Sequence, residues 1–105
     1  RPEKRREALR IAVVARNLWL EHKALGLPES LQLHTALMQI MAITDFGPGA
    51  VHQHFMRHVF RRFAWDTPTA MCLLAEYYDL PDRPQRDMRV RQLKRWMRRY
   101  DVEMW

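Results

Sequence analysis

From Arg86 to Tyr100 the chain reads RDMRVRQLKRWMRRY, in which seven of fifteen residues are Arg or Lys and Asp87 is the one acid. Wound as an α-helix at about 100° per residue, this stretch puts Val90, Leu93, Met97 and Tyr100 on one stripe and Arg91, Lys94, Arg95, Arg98 and Arg99 opposite. One side can pack, and the other can only face water or an anion. The chemistry on offer is charge neutralisation: cationic side chains displace the counterions condensed on a phosphate backbone, and Arg can fork onto a guanine edge. The plainer reading is a solvated face that keeps a small domain soluble. Anion binding is favoured, because the basic segments hold too few acids to cancel their own field.

The second group is His52, His54 and His58. His54 and His58 are four apart on one helical face, a spacing that can grip zinc. Arg57 and Arg61 flank that face and no carboxylate lies between residues 50 and 65, so a divalent cation there is electrostatically unfavourable and no metal is expected. His54, His58, Arg57 and Arg61 read instead as a polar face turned to nucleic acid. His52 falls among apolar residues and reads as a core histidine with a hydrogen-bonded nitrogen.

Nothing else points to catalysis or to a cofactor. Cys72 sits in the apolar run AMCLLA, where a thiol behaves as a small hydrophobe with a raised pKa. The chain has three glycines, no glycine-rich phosphate loop, and neither an H-E-x-x-H nor a G-x-S-x-G pattern. Glu76 and Asp79 read as the polar strip of a helix or as partners of Arg. The turn around Gly47 and Gly49 can offer backbone N–H groups to a phosphate, which is a binding role. Of the tryptophans, Trp19 reads as core. Trp65 and Trp96 can stack on unpaired bases or, as is commoner, pack on a neighbouring helix.

These residues are carried by helices. Pro2, Glu3 and Gly26 bracket a first helix at about 3–24, whose apolar residues at several angles predict a middle enclosed by neighbours. Its basic start, Lys4, Arg5, Arg6 and Arg10, should project beyond the core. A second helix follows at about 29–44, with Leu33, Ala36, Leu37, Ile40, Met41 and Thr44 on its main face. DFGPG then breaks the chain before a third helix at about 50–65. Thr67 and Pro68 open a fourth helix at 68–79, the one expected to be most buried, and LPDRPQ precedes the basic helix at 86–100. No β-pattern, repeat or low-complexity stretch appears. The expected fold is all-α, a bundle of about five helices in a single domain over 1–105.

The net charge is +6 and the pI near 10.2. Residues 1–23 carry seven basic and three acidic side chains, 52–65 three and none, and 83–105 eight and three, whereas 24–51 and 66–82 carry no Lys or Arg. Positive charge therefore sits on helices one, three and five, and in an up-and-down bundle alternate helices can share a side. Helices four and five have the order of a helix-turn-helix, although a turn spanning Leu80–Gln85 with two prolines argues against it. Helices two and three form another such pair. A single cysteine fits a reducing, cytoplasmic setting, no apolar run approaches a membrane span, and no signal peptide is visible.

The reading is a non-enzymatic module that binds DNA or RNA through its phosphates, using Arg86, Arg91, Lys94, Arg95, Arg98 and Arg99, with help from Arg57, Arg61, His54, His58, Lys4, Arg5 and Arg6. One alternative is a helical subunit or scaffold of a larger nucleoprotein complex. Another is a module that docks an acidic protein.

Overall fold

Local capping explains several helix ends in the computed structural model, which describes residues 2–44 and 49–103, without the side chains at 2, 4, 5, 8, 9, 12 and 44. The helices are α1 (Pro2–Ala24), α2 (Leu31–Thr44), α3 (Ala50–His58), α4 (Thr67–Tyr78) and α5 (Arg83–Arg99), and no strand occurs among the described residues. The expected breaker residues Gly47 and Pro48 and the tail residue Trp105 lie outside the described residues, as do the side chains of Lys4 and Arg5.

α1 ends in a Schellman motif. Gly26 takes φ 68°, its N–H donates to Lys23 O, and the next N–H, of Leu27, reaches back to His22 O. Glycine meets the left-handed conformation at no steric cost. Ser30 caps α2 by accepting from Leu33 N.

Three boundaries differ from expectation. α4 is capped by Asp66 in extended backbone, whose carboxylate accepts from Thr69 N, so Thr67 is the first helical residue and not the cap. α5 starts at Arg83, since Pro84 is tolerated in a first helical turn, and this shortens the connection from α4 to Asp79–Asp82. α3 stops at His58 instead of 65. Phe60 and Phe63, three apart, would share one face of a continued helix. Here Phe60 packs on Trp96 of α5, with ring centroids 4.6 Å apart, while Phe63 turns to His34 of α2 at 5.5 Å. The chain must unwind to serve both.

The main chains pack α1 on α2, α2 on α4 and α4 on α5, with α3 against both α2 and α4. Extents of 36 × 34 × 21 Å make the body about two helix diameters thick. One apolar cluster, including Met38, Phe55, Leu73, Tyr77, Leu93 and Met97, joins α2 through α5. Each such side chain contributes about 1.5–3 kcal/mol on burial.

Among the described side chains of α1 only Trp19 is buried, while Ile11, Val14 and Leu18 are 54%, 57% and 60% exposed. The expected enclosure of this helix is therefore corrected: among the described helices it has one neighbour in main-chain contact, α2, and its apolar residues at other angles face outward. α2 also turns a different face inward than its apolar stripe suggested. His34, Thr35, Leu37 and Met38 are buried and Ala36 is exposed. The polar members of that face are satisfied internally, for the Thr35 and Thr69 hydroxyls lie 2.9 Å apart and Thr69 donates to Asp66 Oδ1.

Candidate nucleic-acid interface and a buried histidine cluster

α5 divides as its periodicity requires. Val90, Leu93 and Met97 are buried, and Arg91, Arg95, Arg98 and Arg99 are exposed, with Lys94 half-buried beside them. Arg86, also half-buried, lies 3.7 Å from Asp87, which Arg83 approaches as well at 4.0 Å. Among the described residues no carboxylate pairs with Arg91, Lys94, Arg95, Arg98 or Arg99. Arg91 bonds only to the Asp87 carbonyl, and Arg99 lies over the Tyr100 ring. Cationic side chains anchored on one packed helix with uncancelled charge make an electrostatic footprint.

The other expected contributors disperse. Among the described residues α1 and α5 have no main-chain contact, and each meets α3 through a tryptophan, Trp19 from α1 and Trp96 from α5. Arg57 and Arg61 are exposed, and Arg6 is exposed on α1. Arg57 converges with a cation that was not singled out, Arg16 of α1, at the rim of a cleft of about 250 Å³ between α1, α2 and α3. Trp65 is buried, edge-on to Phe55 at 5.3 Å, and Trp96 is half-buried against Phe60, so neither is a free platform for bases.

His54 does not belong to a surface. It is 6% exposed and its Nε2 lies 2.9 Å from Nδ1 of His34, which is fully buried. His34 Nε2 lies 3.2 Å from Glu29 Oε2 in the α1–α2 connection, and Glu29 also accepts from Trp19 Nε1 at 3.3 Å and pairs with Arg62 at 2.8 Å. An ionised carboxylate only accepts, so His34 must carry its proton on Nε2. A neutral His34 then accepts at Nδ1, which makes His54 Nε2 the donor and leaves His54 Nδ1 unprotonated. His58, half-buried, stacks parallel to His34 with centroids 5.8 Å apart and meets Trp19 edge-on at 5.0 Å.

The charges of this cluster follow from its surroundings. Burial pulls all three histidines toward neutrality, and His54, further opposed by His34 and His58, falls to about 4. Lys23 and Arg62 oppose a charge on His58, in place of the Arg57 and Arg61 that sequence order suggested. Burial favours the neutral acid of Glu29, but hydrogen bonds from His34, Arg62 and Trp19 outweigh it and lower the carboxyl to about 2. Glu29 and His34 went unremarked in the sequence. The signal was faint: an acid five residues before a histidine, just ahead of a helix that holds no Lys, Arg, Asp or Glu.

The start of α3 is occupied as well. Glu76 of α4 accepts from Val51 N at 2.7 Å and His52 N at 3.1 Å, so these N–H groups serve an internal carboxylate and not an external phosphate. His52 Nδ1 lies 2.6 Å from the buried Tyr77 hydroxyl, fitting its reading as a hydrogen-bonded core histidine. Cys72 is buried with its thiol pushed up to about 11, chiefly by burial. Among the described residues no three His, Cys, Asp or Glu side chains converge to hold a metal ion, and no helix is long and apolar enough to cross a membrane. No family model, curated protein or solved structure matches this chain.

Proposed function

We propose that the protein is a nucleic-acid-binding helical module that contacts the phosphate backbone through α5. The observation that carries this reading is the row Arg91, Lys94, Arg95, Arg98 and Arg99, without carboxylate partners among the described residues and backed by a helix face locked into the core. The backbone that carries this row needs no reordering before it meets an anion, so the ordering cost of binding falls on the side chains alone. Arg57 and Arg61 add positive charge on the α3 side.

Salt dependence tests it. Binding to a random duplex should weaken with a log-log slope near −0.9 per phosphate contacted, which amounts to several units for this row. Reversing charge at Arg91, Lys94, Arg95 and Arg98 should abolish binding while changing stability by no more than about 0.5 kcal/mol per site. Salt-insensitive binding, or binding that survives the reversal at moderate salt, would refute the role of α5.

A second reading has its own observation. Ile11, Val14 and Leu18 form a largely exposed apolar strip on α1, which suits a protein neighbour and hence a subunit of a larger nucleoprotein complex. Sedimentation of the purified chain together with its co-purifying partners tests this, and a monomer that remains soluble and partner-free at high concentration counts against it.

A further inference from the structure

The cleft between α1, α2 and α3 combines features that a bare phosphate contact does not need. Leu37, Ile40 and Met41 of α2 give it an apolar floor, and Trp19 closes one wall. Arg16 and Arg57 stand at the rim on different helices, both exposed and, among the described residues, without a carboxylate partner. Gln53, His54 and His58 add an amide and two imidazoles. Groups of this kind both donate and accept, which suits the edge of a base better than a simple anion. The wall is set before any ligand arrives, because Trp19 is tied to Glu29 and braced edge-on by His34, His54 and His58.

We infer that this cleft receives one unpaired nucleotide of a bound strand, its base against the apolar floor and its phosphate between Arg16 and Arg57. The inference rests on the nucleic-acid reading above and adds a preference to it. A cleft of about 250 Å³ lies just below the roughly 300–1,000 Å³ of sites that enclose drug-sized ligands and has room for one base. A base can enter only when it is out of the stack, as in single strands, loops and ends. Arg presents two parallel donors to a phosphate and a flat guanidinium to a base, so Arg57 can serve either face of the nucleotide. No Ser, Thr, Cys, Asp or Glu lines the cleft among the described residues, and the imidazoles of His54 and His58 serve there as hydrogen-bonding partners for a base edge.

The test uses the 105-residue chain with a labelled single strand of about 12 nucleotides, the matching blunt duplex, and AMP and inorganic phosphate as competitors. Ala50→Phe fills the cleft from the start of α3, and Arg16→Ala with Arg57→Ala removes the rim charge from exposed positions that do not support the fold. The single strand should bind roughly tenfold or more tighter than the duplex, and both variants should reduce that ratio to about twofold or less; Ala50→Phe should leave duplex affinity and its salt slope unchanged, whereas the double arginine variant should also weaken the duplex modestly through the charge it removes. AMP should compete and phosphate should not. Equal binding of strand and duplex by the unaltered chain overturns the inference, as does a preference that survives both variants, or competition by phosphate as strong as that by AMP. Duplex binding lost on charge reversal in α5, with no strand preference, would leave the proposed function standing without the cleft. AMP binding abolished by Ala50→Phe, with no duplex binding, would do the reverse.

Discussion

Acidification should dismantle this fold from its histidine cluster, and the size of the effect follows from the groups that are kept neutral. The unfolded chain protonates a histidine near 6.5, whereas folded His54 resists until about 4. Between those values the unfolded state holds a proton that the folded state refuses, so stability is full above pH 6.5 and is lost as the pH falls toward 4. For one such group the slope is about 1.4 kcal/mol per pH unit, which makes the loss about 2 kcal/mol between pH 7 and 5 and on the order of 3 kcal/mol by pH 4.

His34, His52 and His58 are lowered too, all chiefly by burial, and contribute with the same sign. Glu29 acts lower down: its carboxyl is depressed to about 2, so its stabilisation is complete above 4.5 and is lost as the pH falls toward 2. Glu76, raised by burial, works against the trend, because its folded form takes a proton more readily than its unfolded form. Of the charged groups that face the cluster, Lys23 and Arg62 add to the cost of protonation, while the Glu29 carboxylate offsets part of it. Against a total of about 5–15 kcal/mol for a typical domain, the histidine contribution is large.

Urea midpoints followed by circular dichroism at several pH values would measure it, with the His54 ring resonance followed by NMR. His54→Gln retains a donor toward His34 without a titrating ring, and its stability should depend less on pH over the same window. Unchanged stability from pH 7 to 4.5, or a folded His54 that titrates near its ordinary value, would refute the reasoning.

Other outcomes follow from single contacts. Glu29→Ala leaves His34 Nε2, Trp19 Nε1 and Arg62 without their shared acceptor, and should cost about 1–3 kcal/mol for each buried donor left unpaired; urea denaturation at neutral pH reads the loss. Leu93→Ala, at a fully buried position on the packed side of α5, should cost about 2–5 kcal/mol and lower nucleic-acid affinity only through unfolding, which separates it from charge reversal on the other side. At pH 8 a thiol with a pKa of about 11 is ionised in only about one molecule in a thousand, so Cys72 should react with a disulfide reagent at the rate of unfolding, and fast labelling of the folded protein would contradict its burial.

The order and type of the helices, and the two-sided character of α5, were determined by the sequence, because caps, prolines and apolar periodicity act within a few residues. Gly26 ends α1 and Pro68 and Pro84 lie in first turns for that reason. In α1 and α2, unlike α5, periodicity did not decide which side gains a neighbour. The helical stripe of α1 runs through Ile11, Ala15, Leu18 and His22 to Leu25, with more apolar residues at other angles, yet tertiary packing covered Trp19 and left Ile11, Val14, Leu18 and Leu25 exposed. The end of α3 was settled by two phenylalanines with partners in different directions. The histidine cluster depended most on the fold. His54 looked like a surface residue beside Arg57 because its partners, His34 and Glu29, lie twenty and twenty-five positions away in the chain, and only the packing of α3 against α2 gives a buried imidazole the hydrogen bond that makes its burial tolerable.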